Sequence, residues 1–99
     1  MEENATQNPA VLVPTVGRIM LYTYAEHDGV KAHVVGETRP CIVVRSFGGP
    51  SVNVQVFTDG SNDFEDGRRL HWATSVSTVP AKPSPEPQQP GAITWPTRS

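Results

Sequence analysis

Pro40-Cys41-Ile42-Val43-Val44-Arg45-Ser46-Phe47, then Gly48-Gly49-Pro50, then Ser51-Val52-Asn53-Val54-Gln55-Val56-Phe57-Thr58, is the stretch whose reading decides the fold. Its last part alternates strictly: Val52, Val54 and Val56 point one way, Asn53, Gln55 and Phe57 the other. A side-chain period of two marks a strand with one buried face. Residues 41–47 form the most apolar run of the chain, opened by Pro40, where a missing N–H costs little. Gly48-Gly49-Pro50 is a turn signal, so the two runs predict a β-hairpin.

Upstream, residues 18–24 read as a strand with Ile19, Leu21 and Thr23 on one face and Met20, Tyr22 and Tyr24 on the other. Glu26-His27-Asp28-Gly29 is a turn, and Val34-Val35 is a short strand at most, cut off by Gly36. Downstream, residues 58–67 carry two glycines and four acidic residues and predict an exposed loop. Leu70, Trp72 and Thr74 alternate with His71, Ala73 and Ser75 in a further strand running to Val76. Five prolines fall between Pro80 and Pro90, a composition that favours extended polyproline II over a packed core. Ala92-Ile93-Thr94-Trp95-Pro96 is apolar again and predicts a return to the body.

These readings divide the chain into a flexible N-terminal tail (1–13), a β domain (14–79), a Pro-rich spacer (80–91) and a C-terminal segment packing back on the β domain (92–99). Residues 1–9 read as a frayed terminus, and Val11-Leu12-Val13, stopped by Pro14, as a short edge strand at most. No window holds a helical period and no internal repeat is present. The fold class expected is mainly β: a small SH3-like barrel or curled antiparallel sheet of four to six short strands.

Ninety-nine residues suit one domain with a thin stability margin. The formal net charge of −2 argues against duplex nucleic acid, whose binders neutralise phosphates with a basic surplus. Cys41, the single cysteine, excludes an internal disulfide and reads as a buried thiol. No apolar run reaches the ~18 residues that span a bilayer, and the acidic, polar Met1-Glu2-Glu3-Asn4 is unlike a signal peptide. The expectation is a protein of the cytoplasm with no membrane partner.

Chemical constellations are sparse. Asp59, Ser61, Asp63 and Glu65 alternate as in a calcium loop, but Phe64 and Leu70 stand where that loop needs Gly and Glu. His27, His33 and His71 lack zinc-ligand spacing, so no metal or other cofactor is expected. There is no G-x-S-x-G elbow and no phosphate loop, so no catalytic residue is assigned. What remains is a set of arginines and aromatics: Arg18, Tyr22, Tyr24, Arg45, Trp72 and Trp95 are the candidate ligand-binding residues. Guanidinium forks suit phosphates and aromatic faces suit bases or a protein partner. The competing reading makes Trp72 and Trp95 core residues and leaves the arginines solvated or paired with the acidic loops.

Val16-Gly17-Arg18-Ile19-Met20-Leu21-Tyr22 resembles the "VGRI-x-x-Y" opening of small proteins encoded by tailed bacteriophages and prophages. Arg39-Pro40-Cys41-Ile42-Val43-Val44 is similar to their "RPAIVV". Val52-Asn53-Val54-Gln55-Val56-Phe57-Thr58-Asp59-Gly60 is similar to "VNLQVF-x-DG", and Trp72-Ala73-Thr74-Ser75-Val76 to "WATSV". The closing Pro90-Gly91-Ala92-Ile93-Thr94-Trp95-Pro96 resembles "PGTWHWP", with Ala92-Ile93 in place of Thr-Trp and a longer Pro-rich spacer before it. The resemblance runs from about residue 14 to 96 and implies a phage origin, hence the cytoplasm of an infected bacterial host. It supplies no activity. The function expected is an accessory binding protein without catalysis that counters host defence by binding a host protein or a signalling nucleotide. The alternatives are a virion structural or assembly component and, behind it, an enzyme. A homo-oligomer is expected if strand edges are left open.

Overall fold

The computed structural model describes residues 13–96. Five strands form a closed, mixed barrel: β1 (Ile19–Thr23), β2 (Thr38–Ser46), β3 (Ser51–Phe57), β4 (Leu70–Thr78) and β5 (Ala92–Thr94). The chain is therefore mainly β, a small SH3-like barrel. The hairpin is present: β2 and β3 pair antiparallel, with Cys41 opposite Val56 and Val43 opposite Val54. Gly48 takes φ +89° in its turn, a backbone conformation that side chains disfavour. Val52, Val54 and Val56 are fully buried, as their alternation requires.

Pro40 sits inside β2 rather than at its start. It lies opposite Leu21 of β1, and because the Val43 N–H bonds the Arg18 carbonyl, parity turns the Pro40 nitrogen away from β1, so that ladder loses no bond to the missing N–H. Val34-Val35 does not extend; Ala32–Val34 is a 3-10 turn, as is Glu26–Asp28. Val34 is buried there, which a turn achieves as well as a strand. The reading of Val11-Leu12-Val13 falls mainly outside the described residues.

Each strand gives one face to the interior. Met20 and Tyr22 from β1, Cys41 and Val43 from β2, the three valines of β3, Ala73 and Val76 from β4, and Ile93 from β5 fill it. The β4 alternation resolves with Ala73 inward and Trp72 outward, 57% exposed, against the reading of Trp72 as core. Tyr22, Tyr24, Phe64 and Met20 already occupy the interior, and a five-stranded barrel has no room for an indole as well. Bulges at Val43/Arg45 and Val52/Val54 curl the sheet. The second places Ser75 at φ +52°, where its N–H donates to Asn53 Oδ1 at 2.8 Å.

Closure rests on very little backbone. β5 pairs antiparallel with β1 only at Leu21–Thr94 and Tyr22–Ile93, and parallel with β4 only at Ser77–Ala92 and Thr78–Ile93. Gly91 turns the chain into β5 at φ +78°, donates its N–H to the Thr23 carbonyl at 2.7 Å, and lies so close to His27 that a Cβ would meet the ring at 3.2 Å. Before it, Ala81, Lys82, Pro83 and Ser84 of the Pro-rich segment lie beside Leu21, Thr38 and Thr94 on the outer side of β1.

Ile93 is fully buried at this closing seam, so Ile93→Ala should cost about 2–4 kcal/mol. A lower urea midpoint with an unchanged m-value is the expected reading. A loss below about 1 kcal/mol would show that the seam does not hold the barrel shut.

Candidate functional site

Two buried carboxylates organise one end of the barrel. Asp63 lies in the 58–67 segment read as an exposed loop, yet Asp63 and Phe64 are both buried. The reason is long-range pairing. Arg39 donates Nε to Oδ2 at 2.9 Å and Nη2 to Oδ1 at 2.8 Å, a two-pronged contact, while Tyr24 donates its hydroxyl to Oδ2 at 2.9 Å. The Asp59 N–H adds a bond at 3.0 Å, and the Lys31 N–H bonds the Asp63 carbonyl at 2.9 Å. The Arg39 guanidinium, with these other donors, holds the carboxyl at about 2 against the burial that opposes it. Phe64 packs edge-on against Tyr24, with Arg68 over its other side at 4.2 Å. Among the residues of the calcium-like spacing, Asp63 is thus fully engaged by the protein itself.

Asp28 is the second centre. Tyr22 donates its hydroxyl to both carboxylate oxygens at 2.7 and 2.8 Å, His71 Nε2–H donates at 2.9 Å, and the Ala25 N–H at 2.7 Å. Burial pushes this carboxyl up, but His71 and the other donors outweigh it and the net shift is downward. Burial, reinforced by the carboxylates, raises the hydroxyls of both Tyr22 and Tyr24 well above the ordinary range. Burial likewise pushes the Cys41 thiol up to about 12, and the reading of an inert buried thiol fits that environment. The Tyr22–Asp28–His71 chain has the components of a proton relay, but its tyrosine end is sealed inside the barrel at 0% exposure. Its geometry serves to tie the Glu26–Asp28 turn to β1 and β4.

The six candidate ligand residues separate into four places. Tyr22 and Tyr24 lie in the interior with their hydroxyls committed as above. Arg18 and Trp95 come together: the guanidinium stacks over the indole at 4.7 Å, beside an open cleft between residues 15–19 and the Trp95-Pro96 end of β5. Trp95 Nε1 is buried with no hydrogen-bond partner among the described residues. Arg45 is exposed and lies over Phe47 at 5.1 Å. Trp72 stands on the outside of β4.

That outer side is the residue pattern that sequence reading missed. Register places Ile19, Ile42, Gln55 and Trp72 in one row across four strands, all outward. Phe57 pairs with Leu70 in the next row. Ile19, Phe57, Leu70 and Trp72 are 46, 41, 51 and 57% exposed, and no position in either set is charged. Large apolar side chains grouped on a surface mark contact sites. The alternation of Leu70 and Trp72 carried this signal, because the same pattern fits an outward apolar face as well as an inward one. Comparison with protein-family models, with curated proteins and with solved structures finds no match.

Asp63 yields a pH signature. Its folded value is depressed, so the stability it contributes is complete above its ordinary value near 4 and is lost as pH falls through about 2. Asp63→Asn should be less stable than wild type at pH 5, and the gap should narrow steadily toward pH 2 in chemical denaturation. A gap that stays constant with pH would contradict the pairing with Arg39.

Proposed function

We propose that this chain is a phage-encoded accessory protein that works by binding, without catalysis, and that its partner is a host protein presenting an apolar, uncharged patch. The observation that carries the reading is the outer face of β3 and β4, where Phe57, Leu70 and Trp72 stand more than two-fifths exposed with no charge among them. Such residues add nothing to the barrel interior, and their transfer out of water is a source of binding free energy. An uncharged centre also favours a partner without a charged patch, because unpaired charges buried at an interface are costly.

The absence of catalysis is supported by the state of the polar groups. Asp28 and Asp63 are saturated by donors, and the hydroxyls of Tyr22 and Tyr24 are held protonated. None is poised for proton transfer with a substrate. Countering host defence is the role that fits a phage origin. A second reading, capture of a small anion such as a signalling nucleotide, has one observation in its favour: Arg18 stacked on Trp95 at the mouth of a cleft.

The test is affinity capture of the tagged chain from host extract, comparing wild type with Phe57→Ser and Arg18→Ala. Phe57→Ser should remove a specific captured protein, weakening binding by about 2 kcal/mol or more, with the melting temperature unchanged. Arg18→Ala should retain it. A partner held equally by Phe57→Ser, or an adduct of nucleotide size alone in native mass spectrometry, would overturn the protein-partner reading.

A further inference from the structure

We infer that β4 is an open docking edge and that its occupant is β4 of a second copy of this chain, paired antiparallel about a two-fold axis at Trp72. β5 covers β4 only at Ser77 and Thr78, so the side of residues 70–76 away from β3 has no strand partner among the described residues. The hydrogen-bond parity of β4 then says which groups lie on that side. The Thr58 N–H bonds the Arg69 carbonyl, with Thr58 next to Phe57 and Arg69 next to Leu70. In an antiparallel ladder the bonded pairs recur every second residue, so His71 and Ala73 face Val56 and Val54. Leu70 and Trp72 therefore turn their main-chain N–H and C=O groups to the open edge. They are also the residues whose side chains are more than half exposed.

The strand itself argues for a second copy. Leu70–Thr78 contains no lysine, arginine, aspartate, glutamate or proline, the residues that ordinarily protect an edge. Its one ionisable group, His71, is turned inward onto Asp28. The charged residues that precede the strand are Arg69 and Arg68, the latter tied to Asp66 at 2.6 Å, both at the Leu70 end. An antiparallel two-fold pairing carries those two ends apart, so the cations of the copies do not oppose each other. Parity lets only edge-facing residues pair with one another, and the longest two-fold ladder between Leu70 and the Ser75 bulge is centred on Trp72. Trp72 faces Trp72 of the other copy, and Leu70 of each faces Thr74 of the other, with the Ser75 bulge ending the ladder. The outer faces of the two barrels then join into one apolar surface that runs from Phe57 of one copy, across both tryptophans, to Phe57 of the other.

This pairing shares Leu70 and Trp72 with the partner reading but has its own test: sedimentation equilibrium of the full chain over a wide concentration range, with Trp72→Lys and Trp72→Cys. Wild type should dimerise reversibly, and Trp72→Lys should weaken the dimer roughly tenfold or more while keeping the wild-type circular dichroism. Trp72→Cys should form a disulfide-linked dimer under mild oxidation, since a bonded antiparallel pair sets its Cα atoms about 5.5 Å apart, within disulfide reach. A strict monomer overturns the inference and leaves the host-partner reading to its own capture experiment. A dimer indifferent to Trp72→Lys, or one in which Trp72→Cys fails to cross-link, overturns it as well.

Discussion

A three-residue strand closes this barrel, and most of what the surface offers follows from that. Ala92–Thr94 reaches β1 at two positions and β4 at two positions, enough to seal the interior behind Ile93. It is too short to cover the whole of β4. The seam therefore divides the strand: Ser77 and Thr78 are paired on both sides, and Leu70 and Trp72 are left with an open edge. A longer β5 would have hidden that edge and made β4 an interior element of the sheet.

Where the chain enters β4, polar contacts between distant segments add to the strand pairing. Asp63 and Asp28 each gather donors from distant parts of the chain, Arg39 and Tyr24 on one, His71 and Tyr22 on the other. A buried carboxylate is costly unless its oxygens are satisfied, so each centre specifies its surroundings tightly. The result is that residues 58–69 are anchored from beneath, and the chain enters β4 at Leu70 in a fixed register. That register decides that His71 and Ala73 face inward and Leu70 and Trp72 outward. The polar end and the apolar outer face are thus two consequences of one placement.

Local pattern was enough to read the hairpin, because Val52, Val54 and Val56 admit only one buried face and Gly48-Gly49-Pro50 admits only a turn. The return of residues 92–96 was legible from an apolar cluster after a polar spacer. The burial of Asp63 and Phe64 was not, since their partners Arg39 and Tyr24 lie 24 and 39 residues away and an acidic, glycine-bearing segment looks solvated in isolation. Trp72 was ambiguous for a different reason. Alternation tells which residues share a face but not which face is inside, and the decision came from the volume already taken by Tyr22, Tyr24 and Phe64. Of the candidate ligand residues, Arg18 and Trp95 meet only because β5 returns beside β1, a contact no local pattern encodes.

Residue-resolved amide hydrogen exchange at low and high protein concentration tests the open edge of β4 most directly. The amides of His71 and Ala73, bonded to β3, should be protected at both concentrations. Those of Leu70 and Trp72 should exchange quickly when dilute and slow markedly when concentrated, as second copies pair along the edge. Equal protection of all four amides at low concentration would mean that the edge is already covered. Fast exchange of Leu70 and Trp72 at every concentration would mean that β4 meets no second copy.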